Sequence, residues 1–145
     1  MKEELIKLRI KENKLRPKQV DIEKIKSLID SSKSNAEVAL KIKLDEKSAT
    51  VIFRELYECI RQLSEALWMI NGYEPKTHEV ALESLTELEI KSKLKLNHLD
   101  RYRKIRHDIN YQGFQATLEQ AKEILDFWKT AGKEVLAILE KEVSG

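Results

Sequence analysis

Arg101, Arg103, Lys104, Arg106 and His107 fall within one short stretch of the chain, Arg101-Tyr102-Arg103-Lys104-Ile105-Arg106-His107-Asp108-Ile109-Asn110-Tyr111-Gln112-Gly113. Guanidinium groups present planar forks of donors that match phosphate oxygens, and lysine adds a point charge. An imidazole is the side chain that most readily gains and loses a proton near neutrality. Together these groups suit the binding of a phosphodiester. They also suit its cleavage, which needs an imidazole near the ribose 2′-hydroxyl and cations around the phosphate. His107, Arg101 and Arg106 stand here with Arg103, Lys104, Asn110 and Tyr111, candidates for holding the substrate. The same residues also admit a simpler account, a solvated helix face relieved by Asp100 and Asp108, with Lys104 and Asp108 at pairing distance along a helix. At 100° per residue, Arg101 and His107 project about 120° apart, and Arg103 and His107 about 40° apart. The spacing alone does not make a site.

The apolar positions of this stretch, Leu99, Tyr102, Ile105 and Ile109, recur at helical spacing and give it an inner face that ends at Gly113. Upstream, Ile52, Leu56, Cys59, Leu63, Ala66, Leu67 and Ile70 form the clearest stripe in the chain, with Ser48 as a candidate N-cap and Gly72 as a stop. A long helix is expected from Asp21 to about Asp45, with a kink or break at Ser31-Ser32-Lys33-Ser34-Asn35. Gly72-Tyr73-Glu74-Pro75 reads as a loop, and Thr77 as the cap of a shorter helix carrying Val80, Leu82, Leu85 and Leu88. Lys91 to Asn97 reads as a polar link. A closing helix spans about Ala116 to Val143, mildly interrupted at Gly132. Residues 1–19 form a basic arm or short helix with Leu5, Leu8 and Leu15 as its apolar side, ended by Pro17. Residues 20–145 form the body. These patterns predict an all-α fold, an antiparallel up-and-down bundle of four to five helices with an N-terminal arm.

Composition narrows the classes of function. At 145 residues, of which 41% are hydrophobic, the chain can bury the core of one domain and is not a charged disordered tail. The formal net charge is only +2, but it is uneven. Residues 1–19 balance at +4, from seven Lys or Arg against Glu3, Glu4 and Glu12. Residues 91–106 balance at +6, from seven against Asp100, so the rest of the chain carries −8. A lone cysteine, Cys59, gives no disulfide framework and no cysteine-built metal site, and is read as a small buried residue. No glycine-rich phosphate loop, nucleophile elbow or paired His/Glu metal motif occurs, so neither a metal nor a cofactor is expected. His78, at a helix start, and His98 are read as local residues, and Trp68 and Trp128 as packing residues. No apolar run is long enough for a membrane, and the first ten residues alternate charges, which predicts a cytoplasmic protein with no membrane partner.

Three features together resemble the HEPN superfamily, over roughly residues 45–145. The first runs from Phe53-Arg54-Glu55-Leu56-Tyr57 through Ala66-Leu67-Trp68 to Gly72-Tyr73-Glu74-Pro75 and Thr77-His78-Glu79. The second is Leu99-Asp100-Arg101-Tyr102-Arg103-Lys104-Ile105-Arg106 with Asp108-Ile109-Asn110-Tyr111 and Gly113, similar to the archaeal branch; the third is the long closing helix. Active members carry an arginine, four to six intervening residues and a histidine, and the resemblance implies a metal-independent endoribonuclease working across a homodimer. Two registers fit that motif. Arg101 pairs with His107 across five residues, or Arg106 takes the arginine position with His107 in the polar slot after it, and Tyr111 then stands where the histidine would be. In the first register the protein binds RNA or a nucleotide and cleaves RNA, and the resemblance makes His107, Arg101 and Arg106 the catalytic candidates. In the second it is a noncatalytic interaction module, since relatives often accompany small nucleotidyltransferases in toxin–antitoxin pairs.

Overall fold

The computed structural model describes residues 2–144. In chain order these form α1 (Glu3–Lys11), β1 (Leu15–Pro17), α2 (Ile22–Lys41), α3 (Ala49–Ile70), β2 (Tyr73–Pro75), α4 (His78–Thr86), α5 (Leu99–Gln112), α6 (Leu118–Phe127) and α7 (Lys133–Ser144). The expected all-α bundle forms. Its axis is α3, which lacks glycine and proline and buries side chains on nearly every side, including Ile52, Phe53, Leu56, Ile60, Leu63 and Ala66. Around it pack α2, α4, α5, α6 and α7. Cys59 lies on the buried face towards α2, and burial pushes its thiol up to about 12, so it behaves as a small apolar residue.

Local chemistry explains where the elements begin and end. Asp21 caps α2 by accepting from the Lys24 amide at 3.1 Å, and Thr77 caps α4 by accepting from Val80 at 3.1 Å. Thr117 and Gln120 form a reciprocal capping box at the start of α6. Ser48 does not cap α3. Its hydroxyl donates to the Lys43 carbonyl at 2.6 Å, and the Asp45 carboxylate takes the Lys47 and Ser48 amides at 2.8 Å. The serine-rich stretch of α2 is unbroken, because Ser32 is fully buried and donates to the Cys59 carbonyl at 2.8 Å, which removes the polar cost that would favour a break.

Two further expectations are corrected. The segment read as a loop, Tyr73–Pro75, is a strand that pairs antiparallel with Leu15–Pro17 of the arm. Leu15 is buried against Trp68 and Val80, with Ile6 and Tyr73 at the edge of this small second core, while Leu8 stays about half exposed. Trp68 donates its indole N–H to the Val80 carbonyl at 2.8 Å, so this tryptophan is a packing residue. The arm is thus fastened to the body. The second correction concerns Lys91 to Asn97, where a 3₁₀ turn spans Lys93–His98 and buries Leu96.

The closing helix is continuous, and α6 passes into α7 through a π-helical turn at Trp128–Gly132. A Cβ on Gly132 would stand 2.9 Å from the Trp128 ring, so glycine here lets the buried indole lie against the backbone. No helix of the described residues is long and apolar enough to cross a membrane.

Candidate anion-binding cleft

The rotation of α5 is fixed by its inner face. Leu99, Tyr102 and Ile109 are buried, and the Tyr102 ring is clamped edge-on between Phe53 (centroids 5.9 Å apart) and Phe127 (5.6 Å). The outward side chains therefore leave the helix in set directions, and the basic cluster divides.

Arg101 turns to α6, pairs with Glu123 and lies 5.4 Å from the centre of the Tyr102 ring. Arg103 donates to Asp100 from Nε at 3.1 Å and from Nη2 at 2.8 Å, and approaches Glu79 at 3.6 Å. Lys104 pairs with Asp100 at 3.0 Å, and not with Asp108. Hydrogen bonds from Arg103 and Lys104 hold the Asp100 carboxyl below the usual carboxylate range. Arg106 differs. Among the described residues no carboxylate lies within ion-pairing distance of it. With the Asn110 amide turned so that its oxygen faces the guanidinium, that oxygen accepts from Nε at 3.1 Å and Nη2 at 3.2 Å. A neutral amide orients this guanidinium without neutralising it.

Arg103, Arg106, His107 and Tyr111 line one side of an open cleft of about 460 Å³. The first turn of α4 supplies His78 and Glu79 to it, and the chain just before β1 supplies Lys14. The two basic segments of the sequence meet here, though only through Lys14. Most other cations of the arm are spent on carboxylates: Lys7 on Glu3, Arg9 on Glu83 and Glu12, and Arg16 and Lys18 on Glu74.

His78 is half-buried, with Nδ1 3.1 Å from the Tyr57 hydroxyl and its ring stacked on the Tyr57 ring at 5.9 Å. Burial lowers its pKa, and the charges of Arg61 and Arg106 lower it further, so the imidazole is neutral at neutral pH. Burial likewise raises the Tyr57 phenol to about 12, which keeps it protonated. Beside them Arg61 pairs with both Glu58 and Glu65 and is occupied. His107 is exposed and its ring lies 4.9 Å from that of Tyr111. The cleft thus joins an unneutralised guanidinium, a second arginine paired with Asp100 and Glu79, a lysine, two imidazoles, one of which is held in place by a phenol, and the Glu79 carboxylate.

Of the residues singled out by sequence, the cleft brings together Arg103, Arg106, His107 and Tyr111, and Asn110 supports Arg106 from behind. Arg101 and Lys104 lie outside the cleft lining, on Glu123 and Asp100. Arg101 and His107 are not gathered in one place. Arg106 and Tyr111, the other register, are. Sequence reasoning read His78 as a local residue and did not single out Tyr57 or Lys14. The Tyr57 signal was available, since it sits within an apolar stripe yet carries a hydroxyl that needs a buried partner. No cluster of three or more His, Cys, Asp or Glu side chains placed to hold a metal ion occurs among the described residues. Comparison with protein-family models, with curated proteins and with solved structures finds no match.

Proposed function

We propose that the protein is a HEPN-like binder of RNA or nucleotides that holds phosphate in the cleft between α4 and α5. The observation that carries this reading is Arg106, a half-buried guanidinium oriented by an amide, with no carboxylate to neutralise it among the described residues, beside Arg103 and Lys14. Arg106 takes the phosphate, with Arg103, already engaged by Asp100 and Glu79, in support, and His107 is the proton-transfer group of a metal-independent endoribonuclease acting as a homodimer, the activity that the resemblance implies. Arg101 contributes less than its place in the motif would assign, because Glu123 already occupies it.

A second reading is favoured by one specific observation. Arg106 and Tyr111 share the cleft whereas Arg101 and His107 do not, and in that register the histidine position holds a tyrosine. This supports a noncatalytic module that partners a small nucleotidyltransferase.

Fluorescence anisotropy with labelled single-stranded RNA tests the binding. Arg106→Gln is expected to weaken it about tenfold or more, and Arg101→Gln by no more than about twofold, in line with the roughly 1.5–3 kcal/mol of a charge-assisted contact against the small worth of an exposed pair. Equal effects of the two substitutions, or no affinity for RNA or nucleotides, would remove the reading. Cleavage of the RNA that is lost in His107→Ala supports the enzyme, and intact RNA with undiminished affinity leaves the noncatalytic module.

A further inference from the structure

The aromatic side chains at the end of α5 are left in water. Tyr111 is 66% exposed and Phe114 61% exposed, in a protein that buries both tryptophans, Phe53 and Phe127 almost completely. Neither ring is displayed by a loose segment. Tyr111 belongs to the last turn of α5, and its ring leans on His107 at 4.9 Å. Gly113 then takes the left-handed conformation, φ +71°, and turns the chain, with the Phe114 amide directed at the Asp108 carbonyl at 3.4 Å. Two residues later Ala116 is buried and donates its amide to the Thr50 hydroxyl at 3.0 Å. Phe114 is therefore held between two anchors with its ring outward.

Tyr111 lines the same cleft as Arg106 and Arg103, and it stands five positions after Arg106, a rise of about 7.5 Å along the helix. An aromatic plane beside a phosphate-binding group recognises a nucleotide whose base is free to stack. Bases within a duplex are not available to such a plane, whereas those of single strands, loops and ends are.

We infer that Tyr111 is the base-stacking platform of the cleft, with one unpaired base on its ring while the phosphate rests on Arg106 beside Arg103, and with Phe114 offering a second ring beyond the helix end. This rests on the phosphate-binding reading above and deepens it by assigning the base, as well as the phosphate, to a named side chain.

The test compares three probes: a short single-stranded adenylate oligomer, the same oligomer annealed to its complement, and inorganic tripolyphosphate. The wild-type protein should bind the single strand more tightly than the duplex. Stacking is worth roughly 1–3 kcal/mol per base, so Tyr111→Leu should weaken the single strand by about 5- to 150-fold and leave tripolyphosphate unchanged. Arg106→Gln should weaken all three probes. Both positions lie on the outer side of α5, and circular dichroism of each variant should match the parent. If Tyr111→Leu binds the single strand as the parent does, or if duplex and single strand bind equally, the inference fails while the Arg106 effect keeps the phosphate site. Equal loss of the single strand and tripolyphosphate in Tyr111→Leu also overturns it. So does a drop from dimer to monomer with single-strand preference intact, because the ring would then be a subunit contact. If the wild-type protein binds none of the probes, the phosphate site itself falls.

Discussion

Two histidines face one cleft, and their surroundings assign them different properties. His107 is in solvent beside Tyr111, whereas His78 is half-buried, stacked on Tyr57 and repelled by Arg61 and Arg106. Mild acid should therefore work against the folded state at His78. Its folded-state pKa lies below the ordinary value of about 6.5, so between the two values the unfolded chain binds more protons and stability rises with pH. Stability held above about pH 6.5 is then given up as the pH falls toward the folded-state value. Removing a neighbouring positive charge reverses part of this, and Arg106→Gln is expected to raise the His78 pKa. An NMR titration of the imidazole resonances checks it, and an unchanged or lower value would contradict the arrangement of charges proposed for the cleft. The sequence revealed the arginines but not this histidine, for a plain physical reason. A sequence displays neighbours along the chain, and the groups that give His78 its character sit on α3 and α5, 21 and 28 residues away. The same limit applied to Arg101, whose partner Glu123 lies on α6.

At the scale of elements, legibility followed length. Helices α2 and α3 repeat their apolar spacing over several turns, so their existence and inner faces could be read directly, as could the Thr77 cap and the stop at Gly113. The strands could not. Each has three residues, too few for alternation to register, and their pairing joins Leu15 to Pro75 across the whole of α2 and α3. Ser48 illustrates a different failure, since a serine before a helix usually caps it, whereas here the loop from Lys43 to Ser48 consumes its hydroxyl. The passage from α6 to α7 carries its own prediction. Gly132→Ala would press a methyl group against the buried Trp128 ring in a helix where alanine is otherwise preferred, so overpacking of about 1–3 kcal/mol outweighs the propensity gain of about 1 kcal/mol. Urea denaturation should show a lower midpoint for the variant. A raised midpoint would mean that the indole moves aside without cost. Thr117→Ala should cost about 1 kcal/mol, through the lost capping box at the start of α6.

For the whole molecule, the uneven charge noted in the sequence is resolved into a smaller and more specific feature. Most basic residues of the arm and of α5, Arg103 included, are matched by carboxylates, and one cleft collects a smaller group: Arg103, His107, and Lys14 and Arg106, which have no carboxylate within ion-pairing distance among the described residues. The bundle brings it together by laying the end of α5 across the start of α4, while the β1–β2 pairing carries Lys14 to the same edge. The central claim is that this group serves a polyanion, and the salt dependence of single-stranded RNA binding tests it most directly. Neutralising three or four phosphates predicts a slope of log affinity against log salt of about −2 to −3. Arg106→Gln should flatten that slope by somewhat less than one unit, at about 0.7 per phosphate on a single strand. A slope near zero in the wild-type protein, or one that Arg106→Gln leaves unchanged, would contradict the account.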